Sequence, residues 1–236
     1  MYELSVRISE KPSLRHFYER TYARYQECLQ RCPKNGLVVE IGSGAGFAKS
    51  FIPDIITSDV LPYDGVDKVV DATKLPLENE SVRLLCMLNV FHHIAEVEKF
   101  LREAQRCLIK GGRLLIVDQH VGLLSRPILK YFHHEPFEPN AENWRFESTG
   151  PLSGANGALA WIVFVRDRQE FCAKFPDLRL FRYDPHTPFS YWLTGGLKAW
   201  NLLPRWSIRV MDTIDDMTAQ LFPTLGSFVD IELVKR

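Results

Sequence analysis

The feature that most constrains this chain is a run of glycines directly after an apolar, β-branched segment. Residues 37–41 read LVVEI and residues 42–46 read GSGAG, followed by Phe47. A buried strand that ends in glycines can turn sharply, and a ligand can approach its backbone closely because no Cβ intervenes. The sequence therefore predicts a strand-to-helix turn that holds a ligand.

The spacing of the glycines narrows the choice of ligand. Gly42, Gly44 and Gly46 form GxGxG, and Phe47 stands where a dinucleotide-binding GxGxxG needs its last glycine. The sequence contains no GxxxxGK[ST], which excludes a P-loop. A nicotinamide-dependent dehydrogenase is accordingly a disfavoured alternative. A plain structural loop remains the other interpretation of these glycines taken alone.

Buried strands and helical segments alternate through residues 37–118. The predicted strands are residues 37–41, 55–59, 66–71, 82–88 and 113–117. A helical stripe of apolar residues between Val97 and Leu108 is expected to end at Gly111 and Gly112. Continuous apolar strands belong in a parallel sheet covered on both faces, so we expect a doubly wound α/β fold.

The remaining segments are expected to complete a single domain. Residues 13–32 form an amphipathic helix within a helical cap at 1–36, and residues 37–118 form the ligand-binding half. Residues 119–226, rich in proline and aromatic residues, are expected to form an irregular substrate-side insert. In residues 227–236, Asp230 and Glu232 alternate with apolar residues, which predicts a half-exposed, antiparallel strand.

Composition excludes several classes of protein. The chain has 236 residues, with 29 Lys and Arg against 29 Asp and Glu, so no long-range field would attract nucleic acid. The N-terminus lacks a signal-peptide pattern, and no apolar run is long enough to span a membrane, so we expect a cytoplasmic protein. Five cysteines without CxxC spacing indicate neither a disulfide framework nor a thiolate metal site.

Acidic residues follow the next two predicted strands. Asp59 closes the second strand, 17 residues after Gly42, where an acid can bind both hydroxyls of a ribose. Asp71 closes the third strand. Because ligands of open α/β sheets bind at the carboxyl ends of the strands, these acids are expected to converge with the glycine turn. Either acid could instead cap the helix that follows it.

As an ordered set, these motifs resemble the class I S-adenosylmethionine-dependent methyltransferases, within the small-molecule group that includes quinone-biosynthesis enzymes. The matching segments are VVEIGSGAG at 38–46, SD at 58–59, DA at 71–72, NVFHHI at 89–94 and LIKGGRL at 108–114. The resemblance implies S-adenosylmethionine as cofactor. It also implies a seven-stranded sheet of order 3-2-1-4-5-7-6 with strand seven antiparallel, which agrees with the alternation at 227–234.

The resemblance also implies roles for individual residues. The cofactor-binding residues would be Glu40, Gly42, Ser43, Gly44, Gly46, Asp59, Val60, Asp71, Ala72 and Asn89. The glycines would border the methionine part of the cofactor, Asp59 would bind the ribose, and Asp71 would meet the adenine amino group. Asp64 lies close enough to Asp59 to compete for the ribose. Glu40 could orient the glycine turn instead of touching the ligand.

Methyl transfer to an alcohol needs a proton acceptor, and histidine suits this role near neutral pH. His93 and His120 follow predicted strands at the active end of the sheet, and His134 lies in the insert. Consecutive side chains of His133, His134 and Glu135 diverge, so they do not suit one ion, and no metal is expected. Catalysis by positioning alone is the alternative to a histidine base.

The insert is expected to recognise the acceptor, for which several chemistries stay open. Its aromatic residues suit a sugar ring or an apolar chain, and its arginines suit a phosphate, although both could serve the core. Glycines at 154, 157, 195 and 196 could hinge a lid or form plain loops. The expected acceptor is an oxygen of a saccharide, lipid-linked or polyketide-like compound. A quinone or other aromatic hydroxyl, and a catalytically inactive cofactor-binding module, are the alternatives.

Overall fold

In the computed structural model, which describes residues 6, 8–44, 47–150 and 153–236, one seven-stranded sheet organises the chain. Its strands are β1 (Leu37–Ile41), β2 (Ile56–Asp59), β3 (Lys68–Val69), β4 (Val82–Leu88), β5 (Leu108–Gln119), β6 (Leu178–His186) and β7 (Phe228–Lys235). They lie in the order β3-β2-β1-β4-β5-β7-β6. Strands β1 to β5 pair in parallel, whereas β7 is antiparallel to both its neighbours. The predicted fold class and strand order are confirmed.

Helices cover both faces of this sheet. They are α1 (Pro12–Gln30), α2 (Val97–Cys107), α3 (Ser125–Tyr131), α4 (Leu159–Trp161), α5 (Arg168–Lys174), α6 (Ser190–Leu193) and α7 (Ile208–Leu221). A π-helical turn at Ile162–Arg166 continues α4, and short 3₁₀ turns lie at Phe47–Ser50, Phe91–His93, Arg205–Ser207 and Pro223–Leu225. None of the described helices is long and apolar enough to cross a membrane.

Strand β4 shows why the sheet needs both layers of helices. Leu84 and Cys86 belong to the core that contains Tyr25 of α1, whereas Leu85 and Met87 belong to the core that contains Phe100 of α2. All six side chains are fully buried. Because successive strand residues point to opposite faces, a continuous apolar strand requires apolar cover on each side.

Helix α2 and strand β3 both end earlier than the sequence predicts. Helix α2 ends at Cys107 and β5 begins at once, so Gly111 and Gly112 lie within β5 instead of stopping the helix. A Cβ on Gly112 would lie 2.8 Å from the Ile109 carbonyl oxygen, so the irregular pairing of β4 and β5 requires glycine there. Strand β3 pairs through only two residues, and it ends before Asp71.

Strand β6 lies inside the segment predicted to be irregular. It contains Pro185, which cannot donate a ladder hydrogen bond and is tolerated because β6 is an edge strand. The same segment contributes Phe164 and Phe171, both fully buried, to the core beside α2. Much of the predicted insert therefore belongs to the sheet and the core.

The prediction of a half-exposed C-terminal strand was wrong. Asp230 and Glu232 are 3% and 0% exposed, because β7 lies between β5 and β6 and is covered by α1. Arg24 Nε lies 2.8 Å from Asp230 Oδ2, and Arg31 Nη2 lies 2.7 Å from Glu232 Oε2. Arg113 also pairs with Glu232. A buried carboxylate is tolerated when guanidinium groups compensate its charge.

Removing the two nearer cations of Glu232 should expose the cost of burying its carboxylate. We expect Arg31→Met combined with Arg113→Met to lower the free energy of unfolding by about 3–5 kcal/mol, because the buried charge keeps only Arg182, 4.0 Å away, as a partner. Adding Glu232→Gln should restore a large part of that loss. Urea unfolding of the three proteins at one pH makes the comparison, and equal stability of the double and triple variants would contradict it.

Candidate active site

A cavity of about 1080 Å³ opens at the carboxyl ends of β1, β2 and β4. Its walls include Glu40, Gly42, Ser43, Gly44, Asp59, Val60, Asp71, Ala72 and Asn89, all predicted to bind the cofactor. Gly46, also predicted, lies outside the described residues. His93 and His134 line the cavity too, whereas the described lining residues do not include His120 or Asp64. The volume is large enough for a cofactor and a second small molecule.

The glycine turn after β1 has a backbone that only glycine adopts readily. Gly42 and Gly44 have φ values of +70° and +52°. A Cβ on Gly42 would lie 2.3 Å from Cγ2 of Val90, which follows β4. Gly44 N donates a hydrogen bond to Asp59 Oδ2 over 3.0 Å, so the acid at the end of β2 braces the turn. Each carboxylate oxygen of Asp59 retains acceptor capacity for a ligand.

Two residues that line the cavity each have a buried oxygen atom without a hydrogen-bond donor among the described residues. Glu40 Oε2 and Asn89 Oδ1 have no hydrogen-bond partner among the described residues. Asn89 also holds a left-handed φ of +54°, a strained conformation that places it at the mouth of β4. A buried acceptor without a partner is costly, so a ligand that brings N–H or O–H groups would stabilise this wall. The ammonium and ribose hydroxyl groups of S-adenosylmethionine are such donors.

Of these two residues, Glu40 has an ionisable side chain, and the pKa of its carboxyl is shifted. Burial raises the pKa of its carboxyl to about 7, and the charge of Asp59 acts in the same direction. A carboxyl held in this way ionises readily when a cation approaches it. The protein therefore holds an acid on the cavity wall whose charge a cationic ligand would stabilise.

Asp71 shows the geometry of an acid that begins a loop. Its Oδ1 accepts hydrogen bonds from both the backbone N and the hydroxyl of Thr73, each over 2.8 Å. The side chain nevertheless lines the cavity, as does Ala72. Asp71 can therefore order the loop through one oxygen and meet a ligand through the other.

A histidine–glutamate cluster, formed by His92, His93 and Glu135, lies on the same cavity wall. His92 Nε2 lies 3.3 Å from Glu135 Oε2, and His93 Nε2 lies 3.4 Å from Glu135 Oε1. The two imidazole rings are 4.1 Å apart between centroids. The cluster begins three positions after Asn89, so it adjoins the strand end that resembles the methionine-binding segment.

Three separate segments hold this cluster in place. His92 and His93 sit in the 3₁₀ turn after β4, and His92 Nδ1 donates to Asp118 Oδ1 of β5 over 2.6 Å. His93 Nδ1 donates to the Gly154 carbonyl over 3.1 Å. Gly157 N bonds the carbonyl of Pro136 over 3.0 Å, which ties the segment that carries Glu135 to the same loop.

In the cluster, burial and the neighbouring charges shift the pKa values in opposite directions. Burial alone would lower the pKa of His92, but Asp118 and Glu135 raise it to about 10. Burial would likewise raise the pKa of Glu135, but His92 and His93 hold it well below its usual range. The carboxylates thus favour the protonated form of His92, and the imidazoles favour the ionised form of Glu135.

The other two predicted histidines occupy different surroundings. His120 is buried, its Nδ1 lies 2.9 Å from the Tyr183 hydroxyl, and burial with the charge of His186 lowers its pKa to about 4. The His134 side chain is 83% exposed at the cavity rim. Only His93, of the three, is both fixed by a hydrogen bond and placed against the cavity. Sequence reasoning missed His92 and the pairing of Glu135 with a distant turn.

The remaining walls come from the N-terminal helix and from the loop after α6. Tyr18 and Tyr22 of α1 line the cavity, as do the aromatic residues Tyr191, Trp192 and Trp200. None of the described arginines lines it; Arg166, for example, pairs with Asp167 over 2.7 Å. The Lys11 ammonium donates to carbonyls of the loop at 194–200, which fixes that loop against the N-terminal region.

Comparison with known proteins agrees with this geometry. Residues 39–116, about a third of the chain, match the family model described as a methyltransferase domain. A comparison with curated proteins finds no match. Among solved structures, the fold is similar to a Haloferax volcanii methyltransferase in complex with the Trm112 methyltransferase activator. That pair has 14% identity and a TM-score of 0.52, and the match covers 99% of this chain and 96% of the other.

A second similar structure is geranyl diphosphate C-methyltransferase from Streptomyces coelicolor A3(2), solved with Mg²⁺, geranyl diphosphate and S-adenosyl-L-homocysteine. It has 12% identity and a TM-score of 0.50, with 94% of this chain and 81% of the other covered. At these identities, the two structures support a conclusion about the fold alone. Together, the domain match over residues 39–116 and the fold support a class I S-adenosylmethionine-dependent methyltransferase. The predicted family, enzyme class and cofactor are confirmed.

The raised pKa of Glu40 has a consequence for stability. A pKa of 4.5 in the unfolded chain and about 7 in the folded protein means that the folded state holds an extra proton between these values. Stability from this group is therefore present below about pH 4.5 and is lost as pH rises through 7. We expect Glu40→Gln to gain about 3 kcal/mol relative to wild type between pH 4.5 and pH 8. Urea unfolding at both pH values checks this, and a pH-independent difference would contradict it.

Proposed function

We propose that this methyltransferase methylates an oxygen of a small-molecule acceptor, namely a hydroxyl group of a saccharide, lipid-linked or polyketide-like compound. The observation that carries the proposal is the position of the histidine–glutamate cluster. It shares one cavity with the glycine turn and Asn89, so a hydroxyl bound beside His93 would lie next to the cofactor's methionine end. A carbon or sulfur acceptor would have less need of such a cluster.

Cofactor binding is assigned to the residues that the family resemblance indicated. Gly42, Gly44 and Gly46 would border the methionine part, Asp59 would accept both ribose hydroxyls, and Asp71 would face the adenine amino group. Ser43, Val60 and Ala72 would complete the wall around them. Glu40 and Asn89, which line the cavity and each keep a buried oxygen without a partner among the described residues, would accept hydrogen bonds from the ligand's donors. Bound there, S-adenosylmethionine supplies a methyl group on a positively charged sulfur.

The protein's own task is to position the acceptor. In an in-line displacement the carbon–sulfur bond breaks as the carbon–oxygen bond forms, so the acceptor oxygen must lie about 3 Å from the methyl carbon. The tyrosines of α1 and the loop held by Lys11 enclose the cavity and limit access of water. The hydroxyl proton passes to His93 of the histidine–glutamate cluster, which begins three positions after Asn89 and shares its cavity.

The cavity wall favours an acceptor with rings. Tyr191, Trp192 and Trp200 offer flat faces on which a sugar or polyketide ring can stack. Because no described arginine lines the cavity, the described wall offers no guanidinium group for bidentate binding of a phosphate. Aromatic hydroxyl groups, as in quinone precursors, fit the same wall and form the second candidate class.

The ribose assignment predicts unequal effects of two neighbouring acids. Asp59→Ala should weaken S-adenosylmethionine binding by roughly 1–3 kcal/mol, because two ribose hydroxyls lose a charged acceptor. Asp64→Ala should leave the dissociation constant unchanged, since Asp64 does not line the cavity. Isothermal titration of both variants tests the assignment. Loss of affinity in Asp64→Ala alone would move the ribose site off the end of β2.

The acceptor assignment predicts a selective loss of turnover. His93→Ala should lower turnover by roughly 10²–10⁴-fold while cofactor affinity is retained, because His93 faces the acceptor and not the cofactor's ribose. His16→Ala is the matched control, since His16 pairs with Asp212 away from the cavity. Single-turnover rates with an identified acceptor give the comparison. Normal turnover in His93→Ala, with loss in His120→Ala, would refute the assignment.

A further inference from the structure

We propose that the histidine–glutamate cluster binds a divalent transition-metal ion. Its ligands would be Nε2 of His92, Nε2 of His93 and the carboxylate of Glu135, whose candidate atoms all lie within 4.8 Å of one another. The inference replaces the sequence-based expectation of a metal-free site. That expectation considered Glu135 only with its neighbours His133 and His134, whereas the fold brings it to a turn more than forty positions earlier.

The distances in the cluster suit a coordination shell. The two Nε2-to-carboxylate distances, 3.3 and 3.4 Å, exceed the roughly 2.7–2.9 Å of a charge-assisted hydrogen bond. In a tetrahedral shell, nitrogen and oxygen ligands about 2.0–2.1 Å from the ion lie about 3.3–3.4 Å from one another. The two distances in the cluster match this ligand-to-ligand separation. Two of the separations thus already fit one ion, and the others, which are at most 4.8 Å, would close when the side chains turn toward it.

The surroundings of both imidazoles match those of metal-binding histidines. His92 donates its Nδ1–H to Asp118, and His93 donates its Nδ1–H to the Gly154 carbonyl. Such bonds fix the tautomer that leaves Nε2 unprotonated for a metal, and carboxylate and backbone carbonyl are the usual partners. Both Nε2 atoms point to the same carboxylate. Two carboxylates, Asp118 and Glu135, also converge on His92, and a cation would offset this negative charge.

The donor set indicates the kind of ion. Two imidazoles and one carboxylate suit Zn²⁺ and similar first-row ions, whereas Mg²⁺ and Ca²⁺ prefer an all-oxygen shell. Three protein ligands leave at least one position open toward the cavity, as catalytic zinc sites do.

The catalytic role of this ion rests on the proposed function. An acceptor hydroxyl bound at the open position would be acidified by the ion, as metal-bound water is. Its O–H bond breaks, the proton leaves to water, and the oxygen attacks the methyl carbon as the carbon–sulfur bond breaks. The ion keeps its charge state, so no oxidant or reductant is needed. In the loaded enzyme, coordination thereby replaces proton uptake by the cluster itself.

Metal binding can be measured without cofactor or acceptor. The chelator-treated full-length protein should bind one Zn²⁺ per chain in isothermal titration. Its Co²⁺ complex should show the visible absorption of a nitrogen- and oxygen-ligated ion, without a thiolate charge-transfer band that would reveal cysteine ligands. Mg²⁺ should not compete. S-adenosylmethionine binding is titrated separately on the same sample, so failure of the cofactor assignment is distinguishable from failure of the metal site.

Variants identify the ligands. Glu135→Gln and His93→Ala should each weaken Zn²⁺ binding by more than roughly 100-fold, and Asp118→Asn, which removes a positioning group, by about 10- to 100-fold. His16→Ala, which removes another histidine paired with a carboxylate, should bind Zn²⁺ as wild type does. Circular dichroism verifies folding, and His93→Ala decides the matter if Glu135→Gln does not fold. Absence of Zn²⁺ binding to wild type, or unchanged affinity in folded His93→Ala, would overturn the proposal.

Discussion

The contact between Gly42 and Val90 is the constraint on which the site depends. Strands β1 and β4 are adjacent and parallel, so the turns that follow them meet, and Val90 packs where a Cβ of residue 42 would lie. Gly42 has a left-handed backbone at this contact, and Asn89 at the end of β4 has one too. The short 3₁₀ turn that follows then directs His92 and His93 toward the same cavity. A close backbone contact therefore joins the cofactor wall to the acceptor wall.

Buried acids serve two different purposes in this molecule. Asp230 and Glu232 are matched by arginines from α1 and the neighbouring strands, so their charges are compensated within the fold. Glu40 keeps an oxygen without a partner. Glu135 faces two imidazoles at distances too long for strong hydrogen bonds. The charges of the first kind of acid are compensated within the fold, whereas a ligand would supply the partner that the Glu40 oxygen lacks among the described residues.

The sequence predicts the cofactor half of the fold because the signals there are local. Apolar β-branched runs, the glycines after β1 and Asp59 at the end of β2 each lie within a few residues of the feature they define. The acceptor side depends on contacts between distant segments. Glu135 meets His92 only because the loop at 153–158 bonds both segments, and no spacing in the chain encodes that pairing. Likewise, β6 escapes prediction because Pro185 and exposed charges obscure an edge strand.

Transfer of a ¹³C-labelled methyl group from S-adenosylmethionine into small molecules of a cell extract tests the central claim most directly. Mass spectrometry identifies the labelled product, and the carbon chemical shift of its new methyl group reveals the acceptor atom. We expect a small molecule that carries a new O-methyl group, formed by the wild-type enzyme and strongly reduced with Glu135→Gln. A label found on carbon or on protein, or the absence of any labelled product from an enzyme that binds the cofactor, would contradict it.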